Sequence, residues 1–306
     1  SNCVLHNLEY RDFFSMALAA LQLDREKLQA ARFAYSFAHA HCRHYPDNKN
    51  CSWYHGSWQF LRLLDLVSTP AAHAAHYQSQ LEAIRQDPGF KNILISGSAD
   101  FSMVKTIHES LSHSGKEIRM TVADICATPL KVCEHYGAEA GIKITPLQQD
   151  ILEGLPPASF DAIFTHSFMG YFDDSTRPAL IRQWAHALRK GGRLVTVQRV
   201  RDNYPDDIVR FGAGEIENFV ARADSMLQEH RGTALADFDI VTMAKTFARN
   251  FRNFPVRSAS QLRAMLEDEG FELTLFEQKN TIGTEGVTGP SVPNATGFYL
   301  IVAERI

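Results

Sequence analysis

Hydrophobic and polar positions along the chain follow two regimes. Up to about residue 88 the apolar positions recur at helical spacing. Leu28, Ala31, Ala34 and Phe37 mark one face of a helix that Asp24 can cap, running to about His44 and ended by Tyr45-Pro46. A second helix is predicted from Trp53 to Val67 with Ser52 as its cap. Thr69-Pro70 opens a third, with proline at the first helical position, where a missing N–H costs nothing. Asp87-Pro88-Gly89 breaks it.

Strands then alternate with helices. Phe90 to Ser96, Glu117 to Ala123, Lys143 to Leu147, Phe160 to Thr165 and Arg193 to Gln198 are short apolar runs. Between them helices are expected over Asp100 to Ser114, from Thr128-Pro129 to near Gly137, and from about Thr176 to Arg189, the last stopped by Gly191-Gly192. Residues 201 to about 257 interrupt this with helical, partly polar sequence containing Pro205, Gly212, Gly214 and Gly232. A helix from about Ser260 to Glu269 with a Gly270 stop follows. Phe271 to Glu277 and Phe298 to Ala303 are then close enough to pair antiparallel, across a loop rich in Gly, Thr and Pro. Such alternation predicts an α/β architecture: seven strands, mostly parallel, with helices on both faces. A helical N-terminal cap is expected over residues 1–88 and a sheet domain over 89–306.

Composition narrows the function. The net charge is only −4 and the basic residues are dispersed, without the concentrated footprint of a nucleic-acid binder. No apolar run approaches a bilayer span, and the N-terminus lacks the basic-then-apolar signature of a signal peptide. Five cysteines, odd in number and scattered, fit a reduced compartment better than a disulfide framework. A cytoplasmic protein acting on a small molecule is expected, with no nucleic-acid or membrane partner and its oligomeric state left open.

Four stretches carry a family resemblance: NILISGSAD after strand one, TVADI ending strand two, QQDILEGLP followed by FDAIFTHSFMGYF around strand four, and ALRKGGRLVTV leading into strand five. In this order and at these intervals they resemble the class I methyltransferases that use S-adenosylmethionine (SAM), over roughly residues 89–306. The resemblance implies a Rossmann-like sheet binding SAM beyond its C-terminal strand ends. It places Gly97, Ser98 and Ala99 along the methionine part, Asp124 with Ile125 at the ribose, and Asp150 with Ile151 at the adenine. His166, past strand four, faces the cofactor from the opposite side. Where the family has further glycines this chain has Ala99 and Phe101, and Ile95 stands for its usual acidic residue in strand one. A dinucleotide pyrophosphate needs those glycines; SAM, with no phosphate, tolerates their loss.

Other residues carry candidate chemistry. Trp53, Tyr54, Trp58 and Phe60 concentrate aromatic faces that attract a sulfonium cation; Tyr54 and Trp58 are candidate active-site walls, and Phe60 reads as packing. Tyr171 and His166 are candidate proton acceptors, with Phe168, Met169 and Phe172 as packing around them. His39, His41, Cys42, His44, Cys51 and His55 invite a metal reading, and His39 and Cys42 could share a helix face, but with neither a CxxC pair nor a HExxH arrangement present no metal site is expected. His73 and His76 read as a solvated face, and Cys126 and Cys133 as small buried residues.

The leading expectation is methyl transfer from SAM to a small metabolite, since caps of this kind are common in family members that modify secondary metabolites. SAM cyclisation or lysis, for instance to azetidine-2-carboxylate and methylthioadenosine, is the alternative. A non-catalytic SAM-binding protein comes third and a nicotinamide or flavin oxidoreductase last.

Overall fold

The computed structural model describes residues 24–42, 50–230, 235–279 and 297–306. The chain before Asp24, the expected Tyr45-Pro46 stop, Gly232 and the Gly-, Thr- and Pro-containing stretch 280–296 lie outside the described residues.

Helix α1 (Arg25–His41) starts where Asp24 accepts the Lys27 N–H at 3.1 Å. Helix α2 (Ser52–Leu63) has Cys51, not Ser52, at its N-cap; Asn50 Oδ1 takes the Ser52 N–H at 2.8 Å instead. It also stops short of Val67, because Asp65 turns the chain with a left-handed φ of 51°. Pro70–His73 forms a single 3₁₀ turn leading into α3 (Ala74–Gln86).

The alternating part follows as β1 (Asn92–Ser96), α4 (Ser102–Leu111), β2 (Arg119–Asp124), α5 (Ala127–Ala140), β3 (Ile144–Gln148), β4 (Phe160–Phe164), α6 (Arg177–Ala187) and β5 (Leu188–Val200). Helices α7 (Ala213–Glu229) and α8 (Ile240–Asn250) form the insertion. Helix α9 (Ala259–Asp268), capped by Ser258, leads to β6 (Phe271–Lys279) and β7 (Gly297–Arg305). Gly191 and Gly192 do not stop α6. They lie within β5 as an irregularity, since Phe160 pairs with Leu188 while Ala162 pairs with Arg193.

The seven strands order as β3-β2-β1-β4-β5-β7-β6, with β7 antiparallel to both β5 and β6 and every other pairing parallel. Both faces are covered, as the apolar strands require. Ile93, Ile95, Val122 and Phe164 point into one core with α3, α4 and α5. Leu94, Ala123, Ile163 and Leu194 point into the other with α6 and α9, the two-residue alternation of a pleated strand. A third core joins α2 to the insertion: Trp58, Phe60 and Leu61 pack with Phe219, Phe247 and Phe251. The N-terminal helices and residues 213–250 thus share one apolar layer. No described helix is long and apolar enough to cross a membrane.

Candidate functional site

Strand order reverses between β1 and β4, with β2 on one side and β5 on the other. The loops leaving β1, β2 and β4 diverge there and leave a crevice at the C-terminal edge. A cavity of about 700 Å³ occupies it, within the range of small-molecule sites. The residues expected at the site, from Tyr54 and Trp58 to Gly97, Asp124, Asp150, His166 and Tyr171, all line it.

Gly97 turns the chain off β1 with φ +69°, a conformation L side chains rarely adopt. A Cβ there would also overlap the Phe168 ring. Glycine is therefore required twice over, by backbone and by neighbour. Three residues on, the Asp100 carboxylate is buried and well held. It accepts from the Ser102 N–H at 2.6 Å and from the Trp58 indole N–H at 2.7 Å, with the Arg62 guanidinium 3.6 Å away. Burial works against its charge, but Arg62 and these donors outweigh it and keep the carboxyl below its ordinary range. Asp100 was missed in the sequence because its partners come from the distant helix α2. Trp58 is correspondingly a fixed wall, its indole N–H committed to Asp100.

Asp124 ends β2 and already orients two backbone amides, Cys126 at 2.8 Å and Ser98 at 3.1 Å. Burial pushes its carboxyl up to about 6. Each oxygen keeps a lone pair for a further donor. Asp150 caps the short turn Ile151–Glu153 by accepting from Leu152 N–H at 2.9 Å. Between these two loops, Ile125 is a large apolar side chain left 39% exposed, facing the cavity, while Ile151 is buried opposite.

His166, just past β4, is enclosed by Tyr77 and His73. The Tyr77 hydroxyl donates to the Thr165 carbonyl at 2.8 Å and lies 2.9 Å from His166 Nδ1. Its one proton being committed, the imidazole must carry its hydrogen on Nδ1. Nε2 is then a lone-pair acceptor, buried and without a partner among the described residues. Burial, with His73 adding to it, lowers this histidine to about 3. So weak a base stays uncharged at neutral pH and takes up a proton poorly.

Tyr171 stands in the loop after β4, 46% exposed, and its hydroxyl meets that of Tyr54 at 2.7 Å. Tyr54 stacks on Trp58 and on Phe247 with centroids 5.2 and 5.7 Å apart. The enclosing walls push the Tyr54 phenol well above its ordinary range, so it is a neutral hydrogen-bonding group. The Tyr171 loop is itself anchored by buried Arg177, which donates to the Phe172 carbonyl at 2.8 Å and to the Met169 carbonyl at 3.3 Å.

Two histidine expectations are corrected. His73 and His76 are buried, not solvated, because the first turns of α3 lie under the sheet. His76 Nε2 is 3.1 Å from the Thr196 carbonyl, and the His73 ring lies 4.8 Å from Phe298. His39 does not join Cys42 on a common face: its Nδ1 bonds the Tyr35 carbonyl at 2.8 Å. Cys42 instead meets Cys51, His55 and Cys126, whose ligand atoms all lie within 4.8 Å of one another. Arg199 and Arg201, also unforeseen, line the cavity from the end of β5; burial lowers them to about 9 and about 10, so both stay cationic at neutral pH.

A family model described as a methyltransferase domain matches residues 105–192. No curated protein sequence matches the chain. Similar solved structures include the N-methyltransferase NodS from Bradyrhizobium japonicum WM9 with S-adenosylhomocysteine, at 15% identity, covering 74% of this chain and 85% of that one with a TM-score of 0.44. The [4+2]-cyclase SpnF is 14% identical, covering 74% and 80% with a TM-score of 0.48. A SAM-dependent methyltransferase from Methanosarcina mazei is 19% identical, covering 71% and 93% with a TM-score of 0.45. The segment that is similar to a methyltransferase domain runs from α4 to the start of β5, through the Asp124, Asp150 and His166 loops.

Proposed function

We propose that the chain binds SAM beyond β1, β2 and β4 and transfers its methyl group to a small acceptor held under the helical layer. The observation that carries this reading is Gly97, whose left-handed turn packs on Phe168 beside Asp124 and opens into the 700 Å³ cavity. In this reading the ribose hydroxyls donate to Asp124, and the adenine lies between Ile125 and Ile151. The second oxygen of Asp150 accepts from the exocyclic amine. Ser98 and Ala99 flank the methionine part, and His166 Nε2 accepts from its ammonium group.

The sulfonium makes its own methyl group electrophilic, so the protein's share is alignment and the exclusion of water. Tyr54, Trp58 and Phe168 supply aromatic faces for the cation. With His166 so weak a base and Tyr54 so weak an acid, the acceptor is a group that attacks through a lone pair it already has. Arg199 and Arg201 favour an acceptor that also bears an anionic group.

The test is mass spectrometry of purified protein incubated with SAM, with and without candidate metabolites, beside Asp124→Ala. S-Adenosylhomocysteine formed only with an acceptor, together with SAM affinity at least roughly tenfold weaker in the variant, is the expected result. Methylthioadenosine formed without any acceptor would replace methyl transfer by cyclisation or lysis of SAM.

A further inference from the structure

Four side chains that the methyl-transfer reading does not use converge at one edge of the cavity. Cys42 caps the C-terminus of α1, Cys51 caps the N-terminus of α2, and His55 stands one turn into α2 on the same face as Cys51. Cys126 comes from across the fold, at the N-cap of α5 and two residues past Asp124. The three cysteines are buried with Ala38 in a small core of their own.

We propose that these residues form a Cys3His zinc site that fastens the N-terminal helices to the β2–α5 turn. The spacing fits the ion. Cys42 Sγ and Cys51 Sγ each lie 3.7 Å from Cys126 Sγ, and His55 Nδ1 lies 3.6 Å from Cys42 Sγ. Tetrahedral zinc with Zn–S bonds of about 2.3 Å sets its sulfur atoms roughly 3.8 Å apart. A disulfide needs sulfurs about 2.05 Å apart, and the thiols are free.

The surroundings suit thiolates. Cys51 and Cys126 both sit at helix N-termini, where the backbone dipoles favour negative charge. The Thr128 hydroxyl lies 3.1 Å from Cys42 Sγ and can donate to it, the outer-shell contact that orients a ligand. Soft sulfur donors with one imidazole select zinc over hard cations such as magnesium or calcium. Four protein ligands close the coordination sphere, which makes the site structural; a catalytic zinc would keep a position open.

The consequence is mechanical. Cys51 and His55 line the cavity, as do Tyr54 and Trp58 between and beyond them on α2. A metal joining this turn of helix to Cys126 sets the distance between the aromatic wall and the Asp124 loop. Local spacing concealed the site, since Cys126 is separated from His55 by the whole of α3, β1, α4 and β2.

The test begins with the wild-type chain expressed in zinc-supplemented medium, purified without chelator and assayed by elemental mass spectrometry. About one zinc per chain is expected, and exchange with cobalt is expected to give the intense visible bands of tetrahedral thiolate coordination. Cys42→Ser and Cys126→Ser are expected to cut zinc content to roughly a tenth or less, with Cys133→Ala, a buried thiol outside the cluster, retaining it. The wild-type spectrum decides even where a variant fails to fold. Wild-type protein that holds neither zinc nor cobalt would overturn the proposal. So would iron in place of zinc, zinc retained by a folded Cys126→Ser protein, or a disulfide among the three cysteines.

Discussion

The hydroxyls of Tyr54 and Tyr171 meet at 2.7 Å, joining the helical layer to the loop after β4 across the mouth of the cavity. Tyr54 belongs to α2 and Tyr171 to the segment, residues 105–192, that is similar to a methyltransferase domain. Removing either hydroxyl loses one neutral hydrogen bond, worth about 1 kcal/mol. Tyr54→Phe and Tyr171→Phe are each expected to weaken SAM binding roughly fivefold, and the double variant no more than either single one. Isothermal titration of all four proteins measures that coupling; strictly additive losses would show that the pair does not act as a unit.

Gly97→Ala is expected to destabilise the protein by about 1–3 kcal/mol, because it adds backbone strain to the overlap with Phe168. Adding Phe168→Ala opens the space but leaves φ at +69°, so the double variant recovers only part of the loss. Urea unfolding of the three chains separates the two causes.

Asp100 carries the contact between α2 and the β1–α4 loop. Asp100→Ala leaves the Arg62 guanidinium buried without its carboxylate and the Trp58 N–H without an acceptor. A loss of about 3–5 kcal/mol is expected, against a much smaller loss for Trp58→Phe, which removes a neutral donor. A much larger fall of the thermal midpoint in the first than in the second is the readout.

Stability is expected to fall as the pH drops from 7 to 5. Burial lowers His73 to about 4 and His166 to about 3, and lowers His76 as well. Lys279 deepens the effect at His73 and His76, while Asp100 opposes it slightly at His166. In the unfolded chain these rings take up protons near pH 6.5, whereas the folded protein refuses them until far lower pH. The unfolded state therefore binds more protons across this window, and each of His73 and His166 costs about 1–2 kcal/mol by pH 5. His73→Phe should flatten the profile measured by denaturant titration at each pH.

Much of the sheet was legible along the chain. Short apolar runs bounded by Gly-, Pro- and Asp-containing turns fixed the identity of seven strands, because a strand buried on both faces needs apolar residues in succession. Errors fell at element ends, where single residues decide. Asn50 displaced Ser52 as the acceptor at the start of α2, and the glycine pair after α6 proved to be part of β5. Gly97 and Asp124 were legible because each follows directly from its strand end, with no distant partner required.

Sequence alone thus determined the alternation of strands and helices and the loops that carry Gly97, Asp124, Asp150 and His166, since these depend on neighbours a few residues away. Only the tertiary structure decided what those loops face. It buried His73 and His76 under the sheet, set His166 beside Tyr77, and set Trp58 against Asp100. It also brought Cys126 to Cys42, Cys51 and His55, a meeting that no local period can encode. The physical reason is common to all of them: hydrophobic burial packs α2, α3 and the insertion onto the sheet, and that packing, not chain proximity, selects which polar side chains meet.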